Sequence, residues 1–381
     1  MAKKILMAAT NYWTSPYQVG SHHYAREFAR NGWEVFFVSD PISPFHNLLP
    51  DKSQLTDRKK INKGLVNSGY DNIQIYVPFS LITPNEKPVF RTRFITNIWH
   101  KLTMPNIVKY SKQLGFGYVD LLWFDSLTQF FWINEIKYKR SILRIADKFD
   151  AFKKISLNFK KLEEELKDKT DIIIYTAKTL KSYLRGYEDK MFYVPNGVNI
   201  EHFLNSKKDI PDDLKEIPKP RAVYVGAIDE WFGINFLAEV AKKCNNISFV
   251  LIGSPKVDVS NLKKIPNIYF LGRKDYSKIP AYISNSDVGI IVFDVNHPVV
   301  SSVNPIKLYE YMACGIPVVA TKWKELEMME SPAYLAEGVY DFVDYLNLAL
   351  EDRNKEKYIS YAKLNSWNKR YNSIIEIIDI K

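Results

Sequence analysis

The stretch from Ser301 to Thr321 carries the residues whose types and spacing point most directly to chemistry. Pro305 suits the start of a helix and Gly315 its end, and the apolar run Pro317-Val318-Val319-Ala320-Thr321 then reads as a buried strand. Lys307 falls in the first turn of that helix, where the helix dipole disfavours a cation. An anion sharing the site removes that penalty, so Lys307 reads as a phosphate ligand. Glu310 follows three residues later on the same face, in position to accept hydrogen bonds from ribose hydroxyls. Three other loops carry glycines. Tyr17-Gln18-Val19-Gly20-Ser21-His22-His23 leads into a helix, where Gly20 and Ser21 either offer backbone N–H groups to a phosphate or form a plain turn and cap. Val225-Gly226-Ala227-Ile228 opens a second such loop, which is either a nucleotide loop or a turn with core aromatics. Phe270-Leu271-Gly272-Arg273-Lys274 either presents backbone groups to a base edge or is an ordinary loop.

The elements that must position these loops alternate in kind. Apolar runs at 5–10, 34–40, 73–78, 119–125, 141–147, 171–176 and 192–196 are separated by amphipathic stretches such as 22–32. This rhythm predicts a mostly parallel sheet wrapped by helices. A polar, proline-bearing stretch from Lys207 to Pro220 reads as a boundary loop, after which runs at 222–228, 247–253, 268–272, 288–293 and 317–321 give five more strands. The predicted fold class is α/β, with two doubly wound units facing a cleft. Ligands in such sheets bind beyond the carboxyl ends of the strands, where the four loops fall. Residues 367–378 have helical spacing and form a terminal helix that needs a docking face.

Composition narrows the partners. The net charge of +10 calls for an anionic partner: nucleic acid, a lipid surface or a phosphorylated substrate. No zinc spacing or RNA-binding motif is present, which sets nucleic acid aside. Cys244 and Cys314 lie far apart without CxxC spacing, so neither a disulfide framework nor a zinc site is expected, and the compartment reads as reducing. No segment approaches the roughly 20 apolar residues of a membrane span. Residues 87–112 hold Lys87, Arg91, Arg93, Lys101, Lys109 and Lys112 and no acid. Within them, helical spacing would put Phe94, Ile95, Ile98, Trp99 and Leu102 on one face and Arg93, Asn97, His100 and Lys101 on the other. That is the pattern of an interfacial helix, or of a core helix with a solvated basic face.

The run from Pro305 to Ala320, with Tyr193-Val194-Pro195-Asn196-Gly197-Val198, Tyr224-Val225-Gly226, Leu251-Ile252-Gly253 and Phe270-Leu271-Gly272 in order before it, resembles the glycosyltransferases of GT-B fold. In the first half, Ser21-His22-His23, Trp123-Phe124-Asp125-Ser126 and Leu143-Arg144-Ile145-Ala146-Asp147 resemble the xanthan glucuronosyltransferases and the teichuronic-acid glycosyltransferases. The resemblance implies GT-B architecture: an acceptor-binding Rossmann-like domain over 1–197, a nucleotide-sugar-binding domain over 198–362, and a C-terminal helix over 363–381 that crosses back to dock on the N-terminal domain.

It also implies roles. Asp147 is the expected catalytic base, and Lys307 the phosphate ligand. Gly20, Ser21, Gly226 and Ile228, with Arg273, Lys274, Asn304, Leu308 and Glu310, complete the expected donor site. His22 and Asp125 are expected on the acceptor side, and Phe94, Trp99 and Lys101 at the membrane. The implied donor is a nucleotide-sugar, UDP-linked, with glucuronate one candidate sugar. The implied acceptor is a polyprenyl-linked saccharide at the cytoplasmic face of the cell membrane, and the implied pathway is cell-surface polysaccharide synthesis. Retaining relatives place a Glu eight residues before Glu310, and here that position is Ser302, which favours an inverting reaction. No Asp-x-Asp metal motif stands in a convincing loop, so no metal or cofactor is expected. A retaining transferase, an epimerase and a non-catalytic nucleotide-sugar-binding protein are the alternatives.

Overall fold

A computed structural model describes residues 2–48, 53–85, 87–148, 156–207 and 209–380. The chain divides into two compact units: Met1–Thr176 with Lys181–Val194 and Tyr371–Lys381, and Ala177–Leu180 with Pro195–Arg370. The boundary loop expected from Lys207 includes Lys208, which lies outside the described residues.

The first unit is built on β1 (Lys4–Ala9), β2 (Glu34–Ser39), β3 (Ile73–Tyr76), β4 (Tyr118–Phe124), β5 (Lys137–Ile145), β6 (Ile172–Tyr175) and β7 (Met191–Tyr193). They form one sheet in the order β3-β2-β1-β4-β5-β6-β7, every pair parallel. Helices cover both faces of such a sheet, so its central strands read as continuous apolar runs rather than alternating ones. Ile5 through Ala9 and Val35 through Val38 are accordingly buried without interruption. The order reverses between β1 and β4, which sets the topological switch point there.

The second unit is built on β8 (Arg221–Val225), β9 (Ser248–Ile252), β10 (Ile268–Gly272), β11 (Val288–Ile291), β12 (Val318–Thr321) and β13 (Tyr334–Ala336). Their order is β10-β9-β8-β11-β12-β13, again parallel, with the switch point between β8 and β11. Strand β13 was not expected.

Two segments near the first sheet bear on function. The last helix, Trp367–Ile380, sets Tyr371 edge-on against Phe28 at 5.1 Å and buries Ile374, so its residues from Tyr371 onward pack within the first unit. The single helical face expected of Phe94, Ile95, Ile98, Trp99 and Leu102 is corrected by the structure. An α-helix runs only from Arg93 to Ile98 and gives way to a 3₁₀ turn at Trp99–Leu102. The Trp99 indole donates to the Thr128 carbonyl at 2.9 Å, and His100 stacks on Phe131 at 4.2 Å. These contacts pull both rings inward, and the tighter turn breaks the 3.6-residue register. Trp99 is therefore 0% exposed and part of the core, whereas Phe94 stands 68% exposed beside exposed Lys101.

Candidate active site

In the first unit, the ends of β1, β2, β4 and β5 enclose a cavity of about 370 Å³ at the carboxyl edge of the sheet. Four carboxylates line it: Asp40 after β2, Asp125 after β4, Asp147 after β5, and Glu163 on the helix Leu157–Lys169. Asp147 lies two residues beyond β5. Burial pushes its carboxyl up to about 6, against the opposing pull of the Arg144 guanidinium. A group with that value is ionised at neutral pH yet still basic enough to take a proton, which is the requirement for a general base.

Arg144 is itself fixed. Its Nη1 donates to Asp125 Oδ1 at 3.0 Å, while the Trp123 indole donates to Asp125 Oδ2 at 2.8 Å. The guanidinium lies directly over Gly20, where an added Cβ would come within 2.5 Å of Nη2. This close approach explains the glycine at the start of the helix Gly20–Arg30, and it brings Gly20, Ser21, Asp125, Arg144 and Asp147 to one place.

His22 has a different task from the acceptor contact expected of it. It is fully buried; its Nδ1 accepts from the Val19 N–H at 3.3 Å and its Nε2 donates to the Tyr12 carbonyl at 3.0 Å. Burial lowers its pKa to about 4, so it is a neutral cap that locks the helix start.

Two acids in this cavity escaped the sequence reading. Asp40 is the last residue of the run 34–40, and its position just past a strand beside the switch point was the available signal. Its carboxyl is raised by burial and pulled back by hydrogen bonds from Ser126, Thr128 and Gln129 and by Arg58. Glu163 gave no signal. It sits in the run Lys160-Lys161-Leu162-Glu163-Glu164-Glu165, where nothing marks one glutamate from its neighbours.

In the second unit, Lys307 and Glu310 stand on the helix Ile306–Ala313, as expected. Lys307 Nζ donates to the Tyr224 hydroxyl at 3.0 Å and lies 4.2 Å from the Tyr224 ring centre and 4.8 Å from that of Phe293. The Tyr224 hydroxyl donates onward to the Ala227 carbonyl at 2.6 Å. Burial brings Lys307 down to about 7, opposed by Glu310, and brings Glu310 up to about 7, opposed by Lys307 and the Tyr276 hydroxyl. A half-buried ammonium held by rings and a hydroxyl is poised to gain from an arriving anion.

The loops around Lys307 need their glycines. Gly226 has φ +145°, and a Cβ there would come 2.9 Å from Lys307 Nζ. At Gly253, φ +154°, a Cβ would meet the Gly226 carbonyl at 1.9 Å. Beneath them the Tyr311 hydroxyl accepts from the Val225 N–H at 2.8 Å and fixes the end of β8. Asn304 is buried; its Oδ1 accepts from the Tyr309 hydroxyl at 3.2 Å, and its Nδ2 has no partner among the described residues.

Three residues expected at the donor site have side chains engaged within the protein. The Ile228 and Leu308 side chains are fully buried in the core, and the Leu308 N–H is spent on the Pro305 carbonyl at 3.1 Å. Lys274 is paired with Asp213 at 2.5 Å, which also accepts from the Tyr282 hydroxyl. Arg273 is exposed.

Two parallel doubly wound sheets, each with its polar groups at the carboxyl edge, define the GT-B form, and comparison with known proteins supplies the class. Residues 7–176 match the N-terminal domain of the glucuronosyltransferase GumK, and residues 219–352 match the glycosyl transferases group 1. The first half of the chain is thus similar to the GumK N-terminal domain and the second half to the group 1 glycosyl transferases. It is 26% identical over 222 residues to a Bacillus subtilis (strain 168) protein assigned to teichuronic acid biosynthesis as the glycosyltransferase TuaH; the match takes in 54% of the chain and spans 55% of that protein's length. Among solved structures, a sucrose-phosphate synthase from Thermosynechococcus elongatus superposes with a TM-score of 0.69 at 14% identity, covering 99% of this chain and 98% of that one. Anabaena HepE in complex with UDP-glucose superposes with a TM-score of 0.65 at 14% identity, covering 99% and 100%. Among the described residues no helix is long and apolar enough to cross a membrane.

Proposed function

We propose that this protein transfers a sugar from a UDP-linked donor, with inversion, to a polyprenyl-linked saccharide at the inner face of the membrane during cell-surface polysaccharide synthesis. The observation that carries the reading is Asp147, a carboxylate raised to about 6 in a cavity at the carboxyl edge of the first sheet. It takes the proton of an acceptor hydroxyl. The oxygen then attacks the anomeric carbon, the bond from that carbon to the diphosphate oxygen breaks, and the leaving nucleoside diphosphate keeps the electron pair. Lys307 and the first turn of its helix meet the charge that develops on that diphosphate, work that needs no divalent ion. Glu310 is assigned to the ribose hydroxyls.

UDP is supported by the UDP-glucose bound to HepE, and glucuronate by the GumK-type first domain. A uronate calls for a cation; of Arg144, Arg273 and Lys274, Arg144 pairs with Asp125 and Lys274 with Asp213, which favours exposed Arg273. Membrane contact is supported by the acid-free segment 87–112, in which Val89 and Phe94 are 68% exposed and Met104 is 59% exposed among the lysines and arginines.

The test is a donor panel: UDP-glucose, UDP-glucuronate, UDP-galactose, UDP-N-acetylglucosamine and their GDP counterparts, followed by nucleoside diphosphate release with and without a membrane lipid extract. Lipid-dependent release from one donor, insensitive to EDTA, lost in Asp147→Ala and in Lys307→Ala and giving an inverted product, supports the reading. Tight nucleotide binding without turnover of any donor would leave a binding protein instead, and a retained anomer would remove Asp147 from its role.

A further inference from the structure

The four acids of the first-unit cavity are not equivalent. Asp125 spends Oδ1 on Arg144 and Oδ2 on the Trp123 indole. Glu163 spends Oε1 on Lys167 at 3.2 Å and Oε2 on the Tyr183 hydroxyl at 2.8 Å. Each of these two carries a matching cation and has both oxygens held by the protein. Asp40 is arranged otherwise. Its Oδ1 takes hydrogen bonds from Ser126 Oγ at 2.6 Å, Thr128 Oγ1 at 2.7 Å and Gln129 Nε2 at 3.3 Å, and none of the three reaches Oδ2. Arg58 lies close enough to temper the charge, but its Nη2 is spent on the carbonyls of Asp40 and Pro41, and it does not line the cavity. Asp40 is thus locked in orientation by one oxygen while the other is unspent among the described residues. Asp147, lining the same cavity, has no protein hydrogen bond to its carboxylate among the described residues.

An ionised carboxylate only accepts hydrogen bonds, so an unspent carboxylate oxygen calls for a donor such as a sugar hydroxyl. The same charge repels an anion, and among the described residues lining the cavity four acids face one cation, Arg144, whose Nη1 is committed to Asp125, a balance that disfavours a uronate or a phosphate. Asp40 and Asp147 follow strands three positions apart in the sheet, roughly 14 Å at about 4.8 Å per strand. The cavity's 370 Å³ lies at the lower end of the about 300–1,000 Å³ of small-molecule sites, which suits one or two sugar rings.

We infer that this cavity receives an uncharged sugar unit of the acceptor, and that Asp40 is the residue that selects it, gripping a ring hydroxyl through Oδ2 and turning away acidic sugars. This rests on the transferase reading above and adds to it a substrate class and a residue outside the proposed chemistry.

The test is binding without donor, read by saturation-transfer NMR and competition. The probes are methyl glycosides of glucose, mannose, galactose and N-acetylglucosamine, and the methyl glycosides of glucuronic and galacturonic acid. Wild-type protein should bind at least one neutral glycoside and neither uronide. Asp40→Asn, which keeps the shape and removes the charge, should weaken the neutral glycoside about tenfold and relax the exclusion of uronides. Binding of uronides by wild type as tightly as neutral glycosides overturns the inference, as does unchanged selectivity in Asp40→Asn or no glycoside binding at all. UDP binding on the same samples reports the integrity of the protein. If Asp40→Asn fails to fold, the wild-type comparison of neutral against acidic glycosides decides alone. Because no donor is present, failure here is distinct from failure of the donor panel.

Discussion

Replacing Asp147 with Asn separates catalysis from stability in a way that only a raised carboxyl would produce. Its carboxyl lies at about 6 in the folded protein against 3.8 for an unperturbed aspartate, because burial opposes the charge more than Arg144 favours it. Between those values the folded state holds a proton that the unfolded chain has lost. The side chain's contribution to stability is therefore complete below pH 3.8 and is lost as pH rises to about 6. At about 1.4 kcal/mol per pH unit the full loss is about 3 kcal/mol, of which about 2 kcal/mol falls between pH 4.5 and pH 7.5. Asn does not titrate. The stability of Asp147→Asn relative to wild type should thus grow by about 2 kcal/mol between pH 4.5 and pH 7.5 in urea denaturation. Asp40 and Glu163 are also raised, but they are common to both proteins and cancel in the difference. Nucleoside diphosphate release should meanwhile fall about 10²- to 10⁴-fold, the usual worth of a general base. In wild type the rate should fall about tenfold per pH unit below 6, as the base is protonated. A stability difference that does not change with pH, or a variant that turns over within tenfold of wild type, would refute the assignment.

The second unit offers its own pH dependence. With Lys307 at about 7, UDP affinity measured by calorimetry should fall by up to about tenfold per pH unit above 7 as the ammonium is lost. Lys307→Met should bind UDP about 100-fold more weakly, with the lysine's share of that dependence removed. Gly253→Ala, which would set a Cβ 1.9 Å from the Gly226 carbonyl at φ +154°, should cost about 4 kcal/mol or more and abolish UDP binding, visible in thermal unfolding. Trp99→Ala should destabilise by about 3–5 kcal/mol as a core truncation. Phe94→Ala should leave stability within about 0.5 kcal/mol yet weaken sedimentation with anionic lipid vesicles.

What could be read from the sequence followed the length scale of the physics behind it. Lys307 and Glu310 were legible because a cation in the first turn of a helix conflicts with the helix dipole, a local rule that needs no tertiary information. The strands were legible where they formed apolar runs, and β13 (Tyr334–Ala336) was not. Trp99 shows the opposite limit. Helical spacing placed it on an apolar face, but a face does not say what covers it. Long-range contacts, the indole's hydrogen bond to the Thr128 carbonyl and its edge-on packing on Phe131 at 5.2 Å, hold it in the core, while Phe94 stays exposed.

Asp40 marks the boundary between these cases. Its place at the end of a strand beside the switch point is local and could have been used. The property that makes it a ligand rather than a buried structural acid is one oxygen held by residues more than 80 positions away and the other left unspent among the described residues. Carboxylates that look alike in sequence are sorted by such accounting. Asp125 and Glu163 have both oxygens answered by the protein, and Asp40 and Asp147 do not. A carboxylate is costly to bury, and one left partly unpaired beside a cavity keeps that cost until a ligand's hydroxyl meets it. The acids that the fold leaves unsatisfied are therefore the ones to which substrate recognition and proton transfer are assigned.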